Sequence, residues 1–292
     1  MRAYLSDFFR DFAWPEEDAR FLLACYDRIQ ADSEARKQWE EALGMYDRNP
    51  DCDYGQILKL AEQAAEQIDR HELSLHLLVY VCMSRRLKQY YTQKGIDPEI
   101  YRTGVLDLRN KLLECKAVYG FAGTMSGTFF PTMFRMTRFC LGRLQFEVLP
   151  FGAHYERNGH VLTPESKILN IHIPQTGTPL DPESCETAFR QAKAFFAGQV
   201  DEPCAFHCRS WLLFPEHRRM LPAHSNIRRF MERFDLYDRG VYLKREALRW
   251  LFDTEEKNPD RLPTDNSLRR CYVEFLKQGG RPGWGAGVFF ME

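Results

Sequence analysis

The sequence lacks an apolar run long enough to cross a membrane. Its longest, Leu73 to Met83, carries His76 and falls far short of the ~20 residues a spanning helix needs. A surplus of either charge is also missing. Lys+Arg 40 stand against Asp+Glu 41, a formal net charge of -1, so no global field draws the chain to nucleic acid or to a membrane surface. Neither is expected as a partner. The nine cysteines follow no regular spacing and are odd in number, which argues against a disulfide frame and predicts free thiols in a reducing cytoplasm. The opening MRAYLSDFFRDFAWPEED turns acidic too soon for a signal peptide.

Several sharp motifs are absent as well. There is no internal repeat, no low-complexity tract and no G-x-x-x-x-G-K-[ST] phosphate loop. Gly123-Thr-Met-Ser-Gly127 is not the G-x-S-x-G nucleophile elbow. Cys204, His207 and Cys208 come nearest to a metal cluster. In a strand, Cys204 and Cys208 share one face and His207 points away, and no second pair follows, so no metal is expected. The aromatic stretch 129–146 has little basic interleaving and reads as core rather than as a base-stacking platform.

What remains is an ordinary globular composition, 44% hydrophobic and 28% charged over 292 residues, enough for two domains. Residues 1–118 read as helical. Helix starts are signalled by Pro15-Glu16-Glu17-Asp18, by Ser33 as a cap, by Asp53-x-x-Gln56 as a capping box and by Asp97-Pro98-Glu99. A long helix from about His71 to Lys94 stops at Gly95. From Val118 the composition shifts, and residues 119–292 read as a mixed α+β domain. Arg143 to Leu149 alternates with period two, Leu144, Phe146 and Val148 on one face and Arg143, Gln145 and Glu147 on the other. Asn158-Gly159 marks a two-residue hairpin turn. Ala205 to Phe214 and Gly285 to Met291 read as strands, Leu248 to Phe252 as a strand or a helix end, and Thr264 as the cap of a last helix, Leu268 to Lys277.

Lys167 to Phe196 is the stretch around which the rest is organised. Ile168, Leu169, Ile171 and Ile173 form a short buried strand, Gln175-Thr176-Gly177-Thr178-Pro179 breaks it, and Asp181-Pro182-Glu183 opens a helix. A helix start fed by a glycine loop at a strand end offers N–H groups and a positive dipole end to an anion.

The order of elements resembles the GCN5-related N-acetyltransferase (GNAT) fold. The wording resembles a bacterial family of acyltransferase-domain proteins, in which a helical N-terminal domain precedes a GNAT-like domain. The resemblance rests on Leu141-Gly-Arg-Leu-Gln-Phe-Glu147, His172-Ile-Pro174 with Gly177 and Leu180, Cys208-Arg-Ser-Trp-Leu-Leu213, Ser225-Asn-Ile-Arg-Arg-Phe230, and Leu262-Pro-Thr264. It implies an α+β fold in which a helical N-terminal domain is followed by a GNAT-like mixed sheet flanked by helices. It implies an N-acyltransferase that takes acetyl-CoA or another acyl-CoA as cosubstrate and passes the acyl group to a small-molecule acceptor or a peptide amine. The alternative is a GNAT fold without catalysis, serving as a ligand sensor or interaction module.

The same resemblance places the donor along Ile173, Gln175, Thr176, Gly177 and Thr178. This loop has one glycine where the family pattern, Gln/Arg-x-x-Gly-x-Gly/Ala, has two small positions, and Pro179 removes an N–H. Arg218 and Arg219, with Arg190, Lys193, Arg228 and Arg229, are candidates for the phosphates, against the plainer reading of a solvated basic face. Acyl transfer to an amine needs a base, donors for the oxyanion and an acid for the leaving thiolate. His172, opposite in facing to Ile171 and Ile173, is the first candidate base; its plain reading is a hydrogen-bonded histidine of the sheet. Glu147 is the second, its plain reading a solvated carboxylate at a strand end. Ser225 and Asn226 sit where the family places groups near the thiol, although Ser225 also reads as a simple N-cap. The tyrosine acid common in that helix is missing, and Tyr237 lies just past its end.

Overall fold

The computed structural model describes residues 1–242 and 247–292. The chain divides into two compact units, Met1–Phe139 and Cys140–Glu292.

The first unit holds α1 (Arg2–Asp11), α2 (Glu16–Ala31), α3 (Ser33–Arg48), α4 (Tyr54–Gln67), α5 (Glu72–Gln93), α6 (Pro98–Tyr119) and a single turn, α7 (Pro131–Phe134). Short acidic side chains start these helices by accepting N–H groups that have no partner within the first turn. Asp53 takes that of Gln56, Asp97 that of Glu99, and Asp32 those of Glu34 and Ala35. Asp32 therefore displaces the expected cap Ser33, which lies one residue inside the helix. α5 is buried on every side from Ser74 to Ser84, the mark of a helix surrounded by others. Its polar groups are satisfied locally. Ser74 Oγ donates to the Ala122 carbonyl, Tyr80 OH to that of Gly127, and His76 Nε2 meets Glu62 Oε1 at 3.0 Å. Among the described residues no helix is long and apolar enough to cross a membrane. The glycine-rich segment after Tyr119 folds back onto the helices, where Thr124 N donates to Leu73 O, so this unit continues to Phe139.

The second part of the chain is α+β. Its elements are β1 (Arg138–Leu141), β2 (Leu144–Pro150), β3 (Tyr155–Arg157), β4 (His160–Leu162), β5 (Lys167–His172), α8 (Pro182–Phe195), β6 (Cys204–Ser210), α9 (His217–Met220), α10 (Asn226–Glu232), β7 (Asp235–Val241), α11 (Ala247–Phe252), α12 (Ser267–Lys277) and β8 (Gly283–Met291). β3 and β4 form the hairpin that Asn158-Gly159 predicts; both turn residues have positive φ, 52° and 79°. The other six strands make one sheet in the order β1-β2-β5-β6-β8-β7. Two boundaries land elsewhere than expected. Asn266, not Thr264, caps α12 by accepting Arg269 N. Ser210 ends β6 by accepting Leu212 N, so Trp211–Leu213 is a 3-10 turn rather than more strand.

The β5–α8–β6 crossover is parallel, and its pairing is short. Only Leu169↔Phe206 and Asn170↔His207 are in register, whereas β2 runs beside β5 from Gln145↔His172 to Pro150↔Lys167 and β6 beside β8 from Cys204↔Met291 to Ser210↔Gly285. β5 and β6 thus diverge beyond Asn170. On the sheet face that carries α8, Phe189 packs edge-on against Phe206 and Phe289, with ring centroids 5.4 and 4.9 Å away. Each such buried ring contributes on the order of 1.5–3 kcal/mol of burial. The opposite face holds a smaller apolar cluster of Phe151, Tyr155, Leu162, Ile168, Ala205 and Val288. Glu147, Asn170, His172 and His207 lie on that second face.

Candidate active site

Strand alternation sets Glu147, Asn170, His172 and His207 on one face, because Glu147 pairs with Asn170, Gln145 with His172, and Asn170 with His207 across three strands. Their side chains form a continuous hydrogen-bonded chain. His172 Nε2 lies 2.5 Å from Glu147 Oε1. Asn170 Nδ2 donates to the same Oε1 at 3.3 Å, and its Oδ1 lies 3.1 Å from His207 Nδ1. His207 Nε2 lies 3.1 Å from Tyr237 OH. Tyr237 reaches this position because β7 changes register against β8 between Leu236 and Asp238, a bulge that re-aims the intervening side chain.

Asn170 Nδ2 also lies 3.1 Å from His172 Nε2; with that ring nitrogen protonated, both nitrogens direct their hydrogens at Glu147 Oε1, and the rest of the chain runs in one direction. Burial, with a smaller contribution from Arg209, pushes the His207 imidazole down to about 4, so the ring is neutral at neutral pH. A neutral His207 that accepts the Tyr237 O–H at Nε2 donates from Nδ1 to Asn170 Oδ1. That fixes the Asn170 amide with its NH2 toward Glu147. As a carboxylate, Glu147 accepts both from Asn170 and from His172 Nε2–H, which leaves Nδ1 as the acceptor of the His172 ring. Glu147 is only 6% exposed, so its expectation as a solvated strand-end carboxylate is corrected: it is a buried acid held by donors. His172 is half-buried, with 27% of its side chain exposed, enough to meet a substrate.

The loop after β5 is organised by a cation. Arg143, half-buried in the turn just before β2, donates from Nη1 to the Pro174 carbonyl, from Nη2 to that of Thr178 and from Nε to that of Pro179. Ile173 is half-buried, while Gln175, Thr176, Gly177 and Thr178 are exposed. Gly177 sits at φ 76°, where a side chain is strained. The start of α8 differs from the expected open anion site. Pro182 has no N–H, and Asp181 Oδ1 accepts that of Ser184 at 2.9 Å. The Ser184 hydroxyl and N–H hold the Asp181 carboxyl below its ordinary range, so a carboxylate already answers the helix dipole. Beside this start, a cavity of about 310 Å³ lies between α8 and α10, lined by Leu180, Cys185, Phe189, Arg229, Phe230 and Arg233 among others.

The remaining candidates lie apart from the hydrogen-bonded chain. Ser225 occupies the cap position of α10, but its hydroxyl makes no capping bond, and Asn226 begins the same short helix. Arg218 and Arg219 are exposed on α9, Arg219 beside Glu216 at 3.6 Å. Lys193 donates to the Met291 carbonyl, and Arg228 to that of Leu221. Sequence reasoning passed over Asn170 and Arg143, and weighed His207 only as a metal ligand. Asn170 carried a usable signal, since it sits two residues before His172 on the same strand face.

Residues 139–289 match the GNAT-like C-terminal domain. The chain belongs to this family. Within the GNAT-like chain, residues 3–136 match in turn the N-acyltransferase N-terminal domain. No curated protein matches the sequence closely. Among solved structures the GNAT-like chain resembles an acyltransferase in complex with decanoyl-CoA, with 20% identity, TM-score 0.74, and 98% of this chain and 87% of that one covered. A complex with decanoyl-CoA and teicoplanin has the same identity and coverage and a TM-score of 0.72. A third, described as acyltransferase with CoA and 10C-Teicoplanin, again with the same identity and coverage, has a TM-score of 0.69. At that identity the likeness establishes a shared fold over nearly the whole chain.

Proposed function

We propose that the protein is an N-acyltransferase that takes an acyl group from acyl-coenzyme A and passes it to an amine on a small molecule or a peptide. The observation that carries this reading is the gap between β5 and β6 beyond Asn170, bordered by the Glu147–His172 pair. A gap of this kind leaves backbone N–H and C=O groups of two strand edges for an extended, amide-bearing arm. Acyl-CoA in the related structures, together with family membership, supports pantetheine as that arm. Ile173, Gln175, Thr176, Gly177 and Thr178 then face the donor's phosphates, with Arg218 and Arg219 on the solvent side. Buried thiols such as Cys25, Cys82, Cys204 and Cys208, outside any disulfide, support a reducing, cytoplasmic setting.

In this reading His172 is the base. Its Nδ1 takes a proton from the acceptor amine, and Glu147 stabilises the imidazolium that results. The amine nitrogen bonds to the thioester carbonyl carbon, and the C–S bond breaks. The imidazolium returns its proton to the leaving thiolate, so the products are an amide and free thiol, and no tyrosine acid is required. Asn170, His207 and Tyr237 hold the carboxylate and ring in this orientation without touching the reacting atoms. Ser225 and Asn226 are assigned no step.

The test is release of coenzyme A thiol from a panel of acyl-CoA donors of increasing chain length, with free amines and amine-bearing peptides as acceptors. Acceptor-dependent thiol release is the expected result. Binding of coenzyme A without release across the panel would instead favour a ligand sensor. The Asp181-capped start of α8 is the observation on that side.

A further inference from the structure

The three carbonyls that Arg143 gathers bracket the loop from Pro174 to Pro179. A guanidinium has five donors in a rigid planar fork and no acceptor, so it fixes the direction of each carbonyl it holds, whereas a lysine's freely rotating ammonium does not. In a planar trans peptide the C=O and the following N–H point in opposite directions. Turning the Pro174 carbonyl toward Arg143 therefore turns Gln175 N–H away from it. Turning the Pro179 carbonyl inward likewise turns Leu180 N–H away, and Leu180 lines the cavity between α8 and α10. The Thr178 carbonyl precedes Pro179, which carries no hydrogen, and there the proline instead stiffens the turn. Three of the guanidinium's five hydrogens, one on each nitrogen, are committed to these carbonyls, and burial lowers its pKa from the ordinary arginine value.

We propose that Arg143 is a positioning residue for the nucleotide half of the donor. It aims the N–H groups of Gln175 and Leu180 at the donor's pyrophosphate and contacts no phosphate itself. The inference rests on the acyl-CoA reading above. It also resolves an oddity of the sequence. The loop has fewer glycines than the family pattern, and α8 offers few open donors, yet a buried cation supplies from behind the order that a second glycine and a free helix start supply elsewhere.

The experiment compares wild type with Arg143→Met and Arg143→Lys, using acetyl-CoA and the acetyl thioester of pantetheine, which lacks the pyrophosphate. For Arg143→Met, the ratio of kcat/KM for acetyl-CoA to that for acetyl-pantetheine falls about 10- to 100-fold, almost all of it in the KM for acetyl-CoA. Arg143→Lys, a one-point donor, recovers only part of the ratio. An equal loss for both donors would mean a merely structural role and would overturn the proposal, as would an unchanged ratio. Calorimetric titration with coenzyme A separates the two readings. If wild type binds coenzyme A but transfers no acyl group, the transferase reading fails, while a loss of affinity of about 10-fold or more in Arg143→Met still upholds the strut. If wild type does not bind coenzyme A, both fail. Should Arg143→Met not fold, the partial loss in Arg143→Lys carries the same test.

Discussion

Replacing Glu147 by Gln probes the pair at the centre of the site. The substitution keeps shape and an acceptor oxygen, so a neutral His172 Nε2–H still has a partner. What it removes is the negative charge 2.5 Å from Nε2, in a position only 6% exposed to water. That charge matters once the ring has taken a proton. A hydrogen bond to a charged group contributes about 1.5–3 kcal/mol, which corresponds to roughly 10- to 150-fold in rate when it is made only in the transition state. The expected outcome is a fall in kcat of that size with KM for both substrates within about threefold of wild type. Steady-state thiol release, with circular dichroism confirming an intact fold, gives the answer. A kcat within about threefold of wild type would refute the account of Glu147 as the partner of a base, since a buried carboxylate cannot be neutral to a proton transfer beside it.

Other consequences follow from individual residues. Burial holds His207 and His217 each near about 4 against an ordinary 6.5, so between those values the unfolded chain binds more protons and stability rises with pH. Each histidine accounts for about 2 kcal/mol lost on going from pH 7 to pH 5, and His217→Gln should show a correspondingly shallower pH dependence in urea unfolding; an unchanged dependence would contradict it. Ser225→Ala should change stability by less than about 0.5 kcal/mol, because the hydroxyl caps nothing; a loss above about 1 kcal/mol would show that it does. Gly177→Ala meets no atom within 4 Å but sits at φ 76°, so it should cost about 1 kcal/mol of backbone strain and raise the KM for acyl-CoA, whereas an unchanged KM would place the donor elsewhere.

The local signals in the sequence were dependable where one residue type dominated. Asn158-Gly159 marks its hairpin, Asp53, Asp97 and Asp181 cap the helices they precede, and the alternation of Leu144 and Phe146 with Gln145 and Glu147 separates the two faces of β2. Where two capping residues lie close together the choice slipped, as for Asp32 over Ser33 and Asn266 over Thr264, since local composition does not decide which one takes the non-helical conformation. Arg2–Asp11 forms a helix inside the region read as helical, although the sequence gives it no start signal. In the candidate site, His172 and Glu147 were legible as single residues on strands. Their contact was not, because it depends on the β2–β5 register, which no local pattern states. Tyr237 is further from view, since a bulge in β7 aims it at His207. Arg143 and the loop it gathers lie about thirty residues apart in sequence and meet only through the turn into β2.

Where the donor sits decides whether His172 can act on its thioester. A crystal of the protein soaked in coenzyme A is predicted to show density for the pantetheine arm in the gap between β5 and β6 beyond Asn170, with the thiol end toward His172 and the pyrophosphate against the loop around Gly177. Density confined to any other surface, with the β5–β6 gap empty, would contradict it.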